Sequence, residues 1–114
     1  MPIYNKLVRD LIPQIIEQDG KTCVTYRLDD SQYITEVNKK MHEELAEYEG
    51  ANTSDDAVEE LADLLELIHA AARFHGVTVE ELEAVRAEKA AKRGGFEERI
   101  FLVEVENIAR DTNK

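Results

Sequence analysis

The sequence predicts a mainly α fold: an antiparallel helical bundle carrying a small two-stranded β appendage. Three observations lead there. Apolar residues recur at three- and four-residue spacing through most of the chain. Capping residues stand immediately ahead of the periodic stretches. Only two short stretches, 22–28 and 100–105, alternate in the way a strand does.

Taken in order, residues 5–18 form the first expected helix, with Leu7, Val8, Leu11, Ile12, Ile15 and Ile16 as its apolar stripe. Pro13 should kink or restart it, and Asp19-Gly20 should end it. Val24, Tyr26 and Leu28 then fall on one side of a short strand. Asp29 or Asp30 can cap a second helix, whose stripe is Tyr33, Ile34, Val37, Met41, Leu45 and Tyr48. Thr53 or Ser54 can cap a third, expected to end at Gly76. Thr78-Val79-Glu80-Glu81 is a capping box for a fourth, reaching Arg93 and stopped by Gly94-Gly95. Residues 100–105 read as the second strand, expected to pair with 22–28 because a lone strand is unstable. The tail 109–114 is polar and expected to fray.

The chain has 114 residues, enough for a single domain over 1–114 with a modest core. Net charge is −11, which argues against binding a nucleic acid polymer. A nucleotide remains compatible, because a bound divalent ion reverses the local sign. One cysteine, Cys23, excludes an internal disulfide and a multi-cysteine zinc site. His69 and His75 are six residues apart on one helix and do not share a face. No apolar run is long enough to span a bilayer, and the N-terminus lacks a signal-peptide core, so no membrane partner and a cytoplasmic location are expected.

Two acidic motifs carry the chemistry: Glu43-Glu44-Leu45-Ala46-Glu47 and Glu60-Leu61-Ala62-Asp63. Glu44 lies roughly 40° from the centre of its helix's apolar stripe, with Glu47 near the edge. Glu43 points toward the polar side. Glu60 falls inside the next helix's apolar arc, with Asp63 at the border. The short link 50–54 makes the helices antiparallel neighbours, which puts Glu44 and Glu60 level, each roughly 9 Å from the turn. Carboxylates beside apolar positions need a raised pKa or a cation. With no matching Lys or Arg expected from their own helices, the cluster suggests a hard, oxygen-seeking ion such as Mg²⁺. The bland alternative is a solvated acidic face, and Glu60 within an apolar arc weighs against it.

Two basic clusters stand apart. Lys6 and Arg9 share a face of the first helix, and Lys92 and Arg93 precede Gly94-Gly95. Both offer donors to phosphate oxygens. Helix capping and the helix dipole account for Lys92 and Arg93 equally well.

Glu43-Glu44-x-x-Glu47, twelve residues, then Glu60-x-x-Asp63 resembles the signature of the all-α nucleoside triphosphate pyrophosphohydrolases, the MazG-like superfamily. That superfamily includes phosphoribosyl-ATP pyrophosphohydrolases and dimeric dUTPases. The opening Tyr4-Asn5-Lys6-Leu7-Val8-Arg9-Asp10 and the closing Arg93-Gly94-Gly95-Phe96 resemble its house-cleaning branch. The resemblance implies Mg²⁺, with Mn²⁺ as a substitute, on Glu44, Glu47, Glu60 and Asp63. It implies hydrolysis of a nucleoside triphosphate, including modified or damaged ones, to the monophosphate and pyrophosphate. Glu43 or Glu47 would activate water, and Lys6, Arg9, Lys92 and Arg93 would hold the phosphates. A homodimer or higher homo-oligomer is implied as well. The apolar arc of the third helix, wider than half its circumference, hints at the same. Two rival readings are a phosphoribosyl-ATP pyrophosphohydrolase and a non-catalytic acidic helical interaction protein.

Overall fold

Side-chain caps start three helices in the computed structural model, which describes residues 2–107. The helices, in order, are α1 (Ile12–Gln18), α2 (Asp30–Glu49), α3 (Ser54–Phe74) and α4 (Val79–Arg93). The Asp29 carboxylate accepts the Gln32 amide proton at 2.8 Å, and the Gln32 side chain accepts from the Asp29 backbone, closing a capping box on α2. The Thr53 hydroxyl accepts from the Asp56 amide at 3.1 Å and starts α3. Thr78 and Glu81 make the reciprocal pair that opens α4. All three starts match the sequence expectation. α3 ends at Phe74 rather than Gly76; Gly76 follows with φ +83°, the left-handed conformation that terminates a helix.

The first helix is shorter than expected. Residues 5–11 are not helical; α1 begins at Ile12, with Pro13 in its first turn. Pro13 fixes its own φ for a helix start and lacks the N–H that an interior position needs, so it restarts the chain here. Asn5, at φ 46°, is incompatible with a helix running from residue 5.

The expected strands are also absent among the described residues: neither 22–28 nor 100–105 belongs to a ladder. Alternation specifies a face, but a strand exists only through hydrogen bonds to a partner's backbone, and alternation does not supply the partner. Val24, within the first segment, is 99% exposed. The tail 109–114 lies outside the described residues.

The chain divides into two compact units, residues 1–82 and 83–114. Within the first, α2 and α3 are the helix pair that packs side by side. The link 50–53 is short, so they run antiparallel. Val37 on α2 is fully buried. The Tyr33 ring meets Phe74 at 6.2 Å between centroids, which pins the start of α2 to the end of α3. α3 keeps Val58, Leu61, Leu65 and Ile68 exposed, Leu65 at 50%. In the second unit Phe96, Ile100, Phe101, Leu102, Val103 and Val105 are exposed. No described helix is long and apolar enough to cross a membrane.

Candidate metal centre

The α2–α3 hairpin assembles the acidic residues. Glu44 and Glu47 are one turn apart on α2, and Glu60 faces them from α3. One carboxylate oxygen from each of the three lies within 4.8 Å of the other two. Glu44 is the buried member, at 6% exposure; Glu60 is half-buried and Glu47 exposed. The cluster is thus graded from a buried base to an open rim.

Its carboxylates crowd one another. Oε1 of Glu44 is buried and has no hydrogen-bond donor among the described residues. Buried polar atoms are nearly always paired, because an unpaired one forfeits its hydration with no return. The Glu60 carboxyl is pushed from its ordinary 4.5 up to about 7. Removal from water is the largest cause. The neighbouring Glu44 carboxylate and the charges of Glu47 and Asp63 add to it. A proton on Glu60 supplies some of the positive charge that three facing carboxylates require.

A divalent cation fits these residues. The donors are all carboxylate oxygens on two rigid helices, and a buried acceptor stands unused among them. Such a set suits hard ions, Mg²⁺, Mn²⁺ or Ca²⁺. It lacks the thiolate and imidazole ligands typical of zinc.

Asp63, the fourth expected ligand, is engaged elsewhere. Its Oδ1 accepts from Arg9 Nη2 at 2.5 Å. Glu43 also stands outside the three-oxygen cluster, with Lys6 Nζ at 3.5 Å and Lys40 Nζ at 3.8 Å from its Oε1. The structure therefore brings Lys6 and Arg9 to the two acidic motifs. They come from an irregular segment and not from a helix face. Lys92 and Arg93 sit exposed in the last turn of α4, where Lys92 pairs with Glu88 at 3.7 Å. That placement suits the helix-dipole role.

One residue went unnoticed in the sequence. Lys40 lies on α2 itself and reaches Glu44 Oε2 at 3.8 Å as well as Glu43. This corrects the expectation that the helices bearing the cluster offer it no cation. The signal was present, because Lys40 precedes Glu43 and Glu44 by three and four residues, the spacing of helical neighbours. Lys40 serves one oxygen of Glu44 and leaves the other orphaned.

No family model and no solved structure matches the chain. An uncharacterized protein from Mycolicibacterium smegmatis is 43% identical over 54 residues, covering 47% of this chain and 55% of that protein. The chain spans about half the length of the curated relative it matches.

Proposed function

We propose that the protein hydrolyses a nucleoside triphosphate, including modified or damaged forms, to the monophosphate and pyrophosphate, with Mg²⁺ as its ion and Mn²⁺ as a substitute. The observation that carries this reading is the convergence of Glu44, Glu47 and Glu60 around a buried acceptor without a donor. Lys6 and Arg9 beside the same hairpin support it, since a triphosphate needs cations as well as metal. The resemblance of both acidic motifs to those of the MazG-like pyrophosphohydrolases points the same way.

When bound, the ion supplies positive charge to the phosphate oxygens and to the leaving pyrophosphate. The protein's own groups do the rest. Glu44, held by packing and by Lys40, fixes the base of the site. Glu60, whose carboxyl is raised to about 7, would hold the ion as a carboxylate, its proton given up to solvent. Glu47, exposed at the rim, or Glu43 orients the attacking water and accepts its proton. Arg9 and Lys6 present donors to the phosphate tail. Asp63, paired with Arg9, would complete the set of carboxylates that hold the ion.

The same reading places the protein in the cytoplasm as a homodimer or higher homo-oligomer. A second copy would complete the antiparallel bundle over Leu61, Leu65 and Ile68.

Pyrophosphate release from a panel of nucleoside triphosphates, with Mg²⁺ and with EDTA, tests the reaction. Release that depends on Mg²⁺ is expected for at least one triphosphate. Release from phosphoribosyl-ATP alone would favour the narrower activity. No release from any nucleotide would favour the non-catalytic interaction module.

A further inference from the structure

Residues 3–11 run across the hairpin with no regular secondary structure, and their two cations touch both acidic motifs. Lys6 reaches Glu43 on α2 and Arg9 reaches Asp63 on α3. We propose that this segment is an electrostatic latch: Arg9 occupies Asp63 while the metal centre is free, and a divalent cation entering the centre takes Asp63 and frees Arg9 for the anionic ligand. The inference rests on the metal reading given above and adds a regulatory step to it.

Four features carry it. Asp63 is one turn from Glu60 on the same helix and so borders the three-oxygen cluster, yet it stands outside it and is spent on Arg9. The latch contacts are accessible: the Arg9 side chain is 57% exposed and that of Asp63 is 42% exposed. Ion pairs at such exposure are weak and exchange readily, as a releasable contact must. Leu7 is the one half-buried side chain of residues 3–11, so packing holds the segment at a single point. Ile3, Tyr4 and Val8 are exposed, and the Arg9 carbonyl accepts one backbone hydrogen bond, from Ile12. Finally, a guanidinium and a divalent cation on one carboxylate repel each other, so each weakens the other's hold by the same factor.

Calorimetric titration of Mg²⁺ into the whole protein tests the latch. Arg9→Gln should bind Mg²⁺ roughly two- to fivefold more tightly than wild type, the factor that corresponds to losing one exposed competing ion pair. Arg86→Gln, which breaks the Arg86–Glu83 pair on α4, should bind as wild type does. Equal or weaker binding by Arg9→Gln, with wild type still binding, overturns the latch and leaves the metal reading standing. No binding by any form overturns both. Trypsin gives an independent readout in the wild type, because it cuts after Lys6 and Arg9. Saturating Mg²⁺ should speed those cuts relative to cuts within α4 by roughly the same factor. Slower or unchanged cutting at Lys6 and Arg9 would overturn the latch even if the protein binds metal.

Discussion

Glu60 carries a pH signature that follows from its surroundings. Its carboxyl titrates near 7 in the folded chain and near 4.5 when unperturbed. Across that window the folded state keeps a proton that the unfolded state has released, so raising the pH lowers stability. The relative stabilisation is complete below about 4.5 and gone above about 7. In EDTA, the melting temperature of wild type should therefore fall between about pH 5 and pH 8 relative to that of Glu60→Gln, which has no proton to lose there. Parallel curves for the two proteins would show that Glu60 ionises normally. The same variant should lose pyrophosphate release by about a hundredfold or more while staying folded, whereas Glu66→Gln, exposed on α3, should be nearly silent. The positions of Glu44 and Glu60 were legible in the sequence because helical periodicity fixes where a side chain points. The partners were less so. Lys40, one helical turn from Glu43 and Glu44, is written at the spacing of helical neighbours. Arg9 is 54 residues from Asp63, a separation no local pattern spans.

At the scale of elements, the α2–α3 hairpin is the platform for the site, and its local devices have separable contributions. Thr53→Ala removes the α3 cap and should cost about 1 kcal/mol. Val37→Ala empties part of the one fully buried side-chain position among the described residues and should cost roughly 2 kcal/mol. Urea denaturation should resolve the two values, and a negligible effect of Val37→Ala would show that packing at the hairpin is looser than the structure has it. Helix starts were readable because a cap is a contact between residues three apart, written wholly within a few letters. The same holds for the Thr78–Glu81 box. Apolar spacing alone carries the first helix back to residue 5, whereas the restart expected at Pro13 is where the helix of the chain begins. The strands of 22–28 and 100–105 rested on alternation alone, and pairing is a property of two segments.

For the whole molecule, the exposed apolar residues of α3 make a prediction about assembly. If a second copy covers Leu61, Leu65 and Ile68, then Leu65→Glu places a charge in a buried contact and should shift the sedimenting species to monomer. A wild type that sediments as a monomer at micromolar concentration would remove the oligomer from the proposal. This scale was the least legible from sequence. A wide apolar arc states that something must cover it, but contains no description of the cover. The carboxylate cluster, by contrast, is built within one hairpin and needs no second molecule to bring its oxygens together.

The uncovered side chains have a colloidal consequence. Val24, Tyr26, Phe101 and Val103 face solvent on a chain whose isoelectric point is about 4.7. At neutral pH the charge of −11 keeps molecules apart despite these side chains. Near pH 4.7 that repulsion vanishes, and the same side chains become points of adhesion. Acid therefore acts in opposite directions. It relieves the crowding around Glu60 inside each molecule while withdrawing the force that disperses the population. The pH at which Glu60 opposes folding least is thus close to the pH at which a concentrated solution should most readily cloud.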